Sequence, residues 1–135
     1  MPCRNHFRCV LFPLMLALTI SIGAAKSVTV AADGSGDFTT VQAAIDAAPS
    51  EGSLIRIRPG TYREHLLIAK PHIALRGLGA DPSQVVITYD LSSGTAGGTS
   101  KSASVTITGA DFYAENLTFE NSFSRNRPLG NANVA

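Results

Sequence analysis

The chain has 135 residues, a formal net charge of +1, 44% apolar residues and only 16% charged residues. This length is that of a single domain and excludes a large multidomain enzyme. The balanced charge gives no reason to expect nucleic acid as a partner, and the apolar content excludes a disordered polar chain.

Residues 1–25 have the pattern of a secretory signal peptide. Arg4 and Arg8 form a basic start, residues 9–22 are an almost wholly apolar run, and residues 23–25 (GAA) supply the small side chains for cleavage before Lys26. The alternative is a membrane anchor, but the run is shorter than the ~20 residues of a spanning helix. We therefore expect a secreted protein, extracellular or periplasmic, with no membrane attachment after cleavage. Both cysteines leave with this segment, so core packing must hold the exported domain together.

A strand over residues 27–31 and a polar turn at 33–37 precede a predicted helix. Val41, Ala44, Ile45 and Ala48 are spaced at i, i+3, i+4 and i+7, which is one face of a three-turn helix. Thr39 or Thr40 is suited to the N-cap, and Pro49 ends the helix. We expect no second helix in residues 26–135.

Short strands and irregular turns occupy the rest of the chain. The predicted strands are 54–58, 66–68, 73–75, 85–87, 105–107 and two short runs within 112–119. An antiparallel sandwich uses longer strands and hairpin turns, whereas a parallel β-helix stacks short strands in successive coils. The apolar pair 55/57 lies 18 residues before the pair 73/75, and the pair 105/107 lies 12 residues before the pair 117/119. The pattern favours the solenoid, with an irregular repeat.

Four stretches resemble one known family. They are residues 30–49 (VAADGSGDFTTVQAAIDAAP), 55–64 (IRIRPGTYRE), 99–105 (TSKSASV) and 116–121 (NLTFEN). In order and spacing they are similar to the pectin methylesterase (pectinesterase) family over nearly all of residues 28–124, although Ser100 stands where that family has Phe or Tyr. The resemblance implies an all-β fold, a right-handed parallel β-helix in which the helix over 41–48 caps the N-terminal end.

The resemblance also implies an activity. Members hydrolyse the methyl esters of polygalacturonate to free carboxylates and methanol. One aspartate attacks the ester carbonyl, a second acts as general acid and then base, glutamines stabilise the oxyanion and an arginine positions the nucleophile. It implies methyl-esterified pectin as partner, no cofactor, no metal and a monomeric full-length protein.

None of the family's catalytic positions is matched here, because they lie on strands that follow the part matched by residues 121–129. We expect them downstream of Ala135, so residues 26–135 correspond to a truncated N-terminal portion of the β-helix domain that is inactive alone. A sequence fragment and a frameshifted product both remain open. One site residue carries over: Thr99 matches the family's substrate-contacting threonine, and the alternative is a solvated loop residue.

Several other residues have a functional and a structural interpretation. Glu64 is expected to bond backbone or an arginine rather than act as a catalytic acid, and Tyr62 to pack in a turn. Asparagines 116 and 121 are expected to satisfy turn backbone. Arginines 125 and 127 are interpreted as a solvated pair, and His65 and His72 lack further ligands for a zinc site.

The sequence is also compatible with two rival functions. One is a non-catalytic carbohydrate-binding or adhesive β-helix module. The other is a β-helix polysaccharide lyase, which needs calcium-binding aspartates and a basic residue that removes a proton.

Overall fold

The computed structural model describes residues 26–98 and 101–123. The strands are β1 (Lys26–Val30), β2 (Ser53–Ile57), β3 (Gly60–Arg63), β4 (Leu66–Ile68), β5 (Ile73–Gly77), β6 (Val85–Tyr89), β7 (Val105–Ile107), β8 (Tyr113–Glu115) and β9 (Thr118–Asn121). The helices are α1 (Val41–Asp46), α2 (Ser93–Ala96) and a 3₁₀ turn at Pro82–Gln84.

These strands form three parallel sheets, and the chain visits the sheets in turn. Sheet A has the order β1-β2-β5-β8, sheet B the order β3-β6-β9, and sheet C pairs β4 with β7. Every pairing between these strands is parallel. Successive passes stack each strand on its counterpart from the preceding pass, which is the architecture of a parallel β-helix. The predicted fold is confirmed.

The register differs from the spacing expected from the sequence. Ile55 pairs with Leu75, 20 residues later, rather than with residue 73. Residues 105 and 107 stack on residues 66 and 68 in sheet C, whereas Phe119 stacks on Ile87 in sheet B. The 12-residue comparison was therefore wrong, since it joined strands of different sheets. The strand β3 went unpredicted because Tyr62 is its only apolar residue.

The core lies between the three sheets and is made of the inward-facing alternate residues. Ile55, Leu75, Ile87 and Leu66 are fully buried, and Tyr62 joins them at 3% exposure. Burying each such side chain stabilises the fold by about 1.5–3 kcal/mol. The inward-facing side chains of every sheet therefore serve to stabilise the fold. Residues that carry a function have to lie on the outward faces, at strand ends or in loops.

Helix α1 begins where predicted and ends two residues early. Thr40 is the N-cap, and its hydroxyl oxygen accepts a hydrogen bond from the Ala43 amide at 3.3 Å. The last turn tightens as the Ala48 amide bonds the Ile45 carbonyl at 3.1 Å, because the residue before Pro49 disfavours helical backbone. Ala48 is nevertheless buried, so the predicted apolar face is correct.

The helix closes one edge of sheet C through a side chain. The Gln42 carboxamide accepts from the Leu67 amide at 2.9 Å and donates to the Leu67 carbonyl at 3.1 Å. A neighbouring strand would offer the same donor and acceptor. The Gln42 side chain of α1 therefore makes the hydrogen bonds that a strand beside β4 would make. Helix α2 and the 3₁₀ turn were not predicted, since neither contains an apolar repeat.

Candidate functional site

The three strands of sheet B end together beside the long segment that joins β6 to β7. Arg63 pairs with Thr88, and Tyr89 pairs with Asn121. After Tyr89 the chain enters residues 90–104, which we call the β6–β7 loop, and returns as β7. Loops held by a rigid solenoid are common places for polysaccharide contacts, so this end of sheet B is the candidate site.

A single side chain, Asn121, holds both ends of the β6–β7 loop. Its amide nitrogen donates to the Leu91 carbonyl at 2.9 Å and to the Ser102 carbonyl at 3.2 Å. Its side-chain oxygen accepts from the Phe123 amide at 3.1 Å. The expectation that this asparagine satisfies loop backbone is confirmed, and its contacts fix the stem of the loop relative to β9.

The loop contains the one substrate-contact residue expected from the sequence. Thr99 and Ser100 lie outside the described residues, so the role of Thr99 stays a prediction. Before them, α2 is followed by Gly97 and Gly98, which have φ angles of 75° and 141° that favour glycine. The Lys101 amide then bonds the Gly98 carbonyl at 3.1 Å, which places the two flanks of Thr99 close together.

A polar and aromatic cluster lies at the base of the loop and was missed by the sequence interpretation. The Arg63 guanidinium pairs with the Asp90 carboxylate at 2.6 Å and lies over the Tyr89 ring at 5.8 Å from its centroid. The His65 ring stands 5.9 Å from the Tyr89 ring. The hydrogen bond from Arg63 lowers the pKa of Asp90 below its usual value, so this carboxylate is ionised at neutral pH. The only sequence signal was the Tyr-Asp pair between a strand and a glycine-rich segment.

This cluster can contact a sugar polymer but does not provide a nucleophile with its base. Asp90 is neutralised by Arg63, and a carboxylate held in an ion pair is a weak base. The aromatic ring and the guanidinium are groups that stack on sugars or bind acidic ones. The arrangement therefore suits binding rather than bond breaking.

Glu64 is a structural residue, as expected. Its two carboxylate oxygens accept from the amides of Val41 and Gln42, each at 2.9 Å, at the first turn of α1. Free amides at a helix N-terminus favour a negative charge, so Glu64 caps the helix from a different coil. Tyr62 beside it is buried, and its hydroxyl donates to the Arg58 carbonyl at 2.9 Å.

The remaining candidates are placed apart from the loop or beyond the described residues. Asn116 donates to the carbonyls of Gly77 and Gly79 at 2.9 and 2.8 Å, which confirms its turn role. His72 lies 3.2 Å from the Asp111 carboxylate, in a different turn from His65. Within residues 26–98 and 101–123, no group of three or more His, Cys, Asp or Glu side chains could hold a metal ion. Arginines 125 and 127 fall outside the described part.

None of the helices in residues 26–98 and 101–123 has the length and apolar character needed to cross a bilayer.

Comparison with known proteins gives a consistent result. The family model named Pectinesterase matches residues 27–129. Pectinesterase 3 of Citrus sinensis is 40% identical over 98 residues, which are 70% of this chain and 17% of that protein. The pectin methylesterase of Aspergillus niger is 30% identical with a TM-score of 0.65, covering 74% of this chain and 36% of that chain. A pectin methylesterase solved in complex with a hexasaccharide is 28% identical with a TM-score of 0.66, covering 81% and 35%. The chain spans a minor part of the length of each relative.

Proposed function

Because the chain belongs to the pectinesterase family, we propose that residues 26–135 supply the N-terminal coils of an enzyme that hydrolyses the methyl esters of polygalacturonate. The products are free carboxylates and methanol. The observation that carries this proposal is the family match over residues 27–129, together with a coil order that places the β6–β7 loop at the end of sheet B. The relative solved with a hexasaccharide supports a pectin chain as the ligand.

The catalytic aspartates are proposed to lie outside this chain. Four of the carboxylates in the described residues are engaged in structural contacts: Glu64 on α1, Asp90 on Arg63, Asp81 on Ser83, and Glu115 on Arg76 and Tyr113. A nucleophilic carboxylate needs a second carboxyl group within reach of the same ester, and these side chains are dispersed over different turns. Residues 26–135 alone are therefore expected to release no methanol from esterified pectin.

The contribution of this chain to the site is proposed to be substrate contact by the β6–β7 loop. Gly98 and Lys101, which flank Thr99 and Ser100 in sequence, are joined by a backbone hydrogen bond, and Asn121 holds the stem of the loop at the end of sheet B. A hydroxyl there can bond a sugar hydroxyl or carboxyl oxygen. The partner is methyl-esterified pectin, and the full-length protein is proposed to act as a monomer without nucleic acid.

An extracellular location is proposed on the same basis. Pectin is a polymer of the cell wall, and residues 1–25 have the pattern of a cleaved export signal. Mass spectrometry of the exported protein should give an N-terminus at Lys26, whereas a chain that retains Met1 would contradict cleavage.

A chimera tests the proposed function of the loop. Residues 27–129 replace the matching segment of Pectinesterase 3 of Citrus sinensis, and methanol release from esterified pectin is measured. Thr99→Ala in the chimera removes one hydrogen bond worth about 0.5–1.5 kcal/mol, so kcat/KM should fall about 2- to 10-fold. Thr61→Ala is the matched control, since Thr61 is an exposed threonine of β3 away from the loop. Equal kcat/KM values for the two variants would contradict the assignment of Thr99.

A further inference from the structure

The outward face of sheet A carries two parallel rows of side chains. In register across its strands, one row is Ser27, Leu54, Ala74 and Tyr113, and the other is Thr29, Arg56, Arg76 and Glu115. We call the group Leu54, Arg56, Ala74, Arg76 and Tyr113 the sheet A strip. The sheet A strip is separate from the candidate site, because the β6–β7 loop lies at the end of sheet B.

The charges of the strip are only partly balanced. The Arg76 guanidinium donates to one Glu115 oxygen, and the Tyr113 hydroxyl donates to the other at 2.8 Å. Both bonds lower the pKa of Glu115, with the tyrosine bond the larger effect, so Glu115 is ionised at neutral pH and neutralises Arg76.

Arg56 lacks such a partner. It is exposed, directly in register with Arg76, and its guanidinium has no hydrogen bond or ion pair with any residue in the described part of the chain. Like charges on neighbouring strands destabilise a sheet, and Glu115 pairs with Arg76 but not with Arg56. An anionic ligand would supply the missing charge.

The second row provides a floor beside these arginines. Leu54 and Ala74 are half-buried, and Tyr113 is 56% exposed. Strands lie ~4.8 Å apart, so the floor from Leu54 to Tyr113 extends about 10 Å along the solenoid axis. A flat apolar surface ending in an aromatic ring suits the C–H faces of sugar rings.

We propose that the sheet A strip binds a stretch of polygalacturonate whose carboxylates are free, with the sugar rings on the floor and a carboxylate on Arg56. A guanidinium forms paired, charge-assisted hydrogen bonds with an ionised carboxylate, and a methyl ester carries no charge to attract it. The strip therefore selects the de-esterified product over the esterified substrate. The choice of galacturonate as the acidic sugar rests on the proposed function, because that reaction produces it.

The test is binding by the purified chain, measured by affinity electrophoresis in gels that contain one polymer at a time. The polymers are polygalacturonate, fully methyl-esterified pectin and dextran sulfate. Polygalacturonate should retard the chain and esterified pectin should not. Arg56→Gln should weaken binding to polygalacturonate at least about fivefold, since a hydrogen bond to a charged group is lost. Tyr113→Ala should weaken it without changing the charge.

The matched control is Lys70→Gln, which also removes one positive charge and lies just after β4 of sheet C, outside both the strip and the β6–β7 loop. It should alter the affinity less than about twofold, since exposed charges at a distance are screened by salt. Equal losses in Arg56→Gln and Lys70→Gln, or equal binding of dextran sulfate with the same loss in Arg56→Gln, would overturn the proposal in favour of general attraction to polyanions. The melting temperature of each variant is measured as well, so that a variant that misfolds is distinguished from a folded variant that has lost binding. Methanol release by the chimera is read separately, so failure of the strip and failure of the proposed function are distinguishable.

Discussion

Removing the Glu64 carboxylate is expected to destabilise the fold by uncapping α1 from a distance of more than 20 residues in sequence. The two oxygens serve the amides of Val41 and Gln42 in a partly buried setting, and Thr40 serves only the third amide. Losing an N-terminal cap costs about 0.5–2 kcal/mol, and a hydrogen bond to a charged group is worth about 1.5–3 kcal/mol. In the variant, water can hydrogen-bond the two amides and recover part of this energy. We therefore expect Glu64→Ala to lower the free energy of unfolding by about 2 kcal/mol, or Tm by roughly 10 °C.

The assay is urea unfolding of the chain followed by circular dichroism, with linear extrapolation to water. Glu64→Gln keeps one acceptor oxygen but presents a donor to the other amide, so it should lose about half as much. Glu51→Ala is the matched control, because the Glu51 carboxylate only bonds the neighbouring Ser50 hydroxyl and is exposed. A free energy for Glu64→Ala within about 0.5 kcal/mol of this control would refute the capping role.

Three other substitutions probe separate parts of the fold. In Gly77→Ala the new Cβ would lie 1.9 Å from the Asn116 carbonyl oxygen, so we expect a loss of at least about 2 kcal/mol in urea unfolding, and a neutral result would contradict the coil spacing. Gln42→Ala opens the edge of β4 and should increase association in analytical ultracentrifugation, whereas an unchanged monomer would argue against edge protection. The lowered pKa of Asp90 gives stability that is present above the ordinary carboxyl pKa and is lost as the pH falls through the lowered value. In Arg63→Gln an NMR titration should therefore show a higher Asp90 pKa, and no change would refute the pairing.

The helix and the inward faces could be predicted because each depends on local spacing. The apolar positions 41, 44, 45 and 48 form one helical face, and alternation within β2 and β5 identifies the residues that become buried. The register could not be predicted, since it depends on how many strands make a pass and on the length of the β6–β7 loop. The number of strands in a pass and the accommodated loop length are both determined by how successive passes stack on one another.

The turns leading into sheet A show a similar limit. Gly52, His72 and Asp111 precede β2, β5 and β8, and all three have left-handed φ angles, of 99°, 56° and 53°. A glycine in the sequence indicates that a left-handed φ angle is possible, whereas a histidine or an aspartate is a much weaker indication.

The candidate site was predicted in part. The loop, its glycines and the role of Asn121 followed from the sequence, but the contact between Arg63 and Asp90 did not, because the two residues lie 27 apart and meet only through the register of sheet B. Contacts between strands of different coils carry no local sequence pattern.

The rate of methanol release by the unmutated chimera tests the central claim most directly. If residues 27–129 are the N-terminal coils of a pectin methylesterase, the chimera should fold and release methanol from esterified pectin at a rate within about tenfold of the parent enzyme, a barrier difference of about 1.4 kcal/mol. A chimera that is folded by circular dichroism and binds pectin, yet releases no methanol above a boiled control, would contradict the claim.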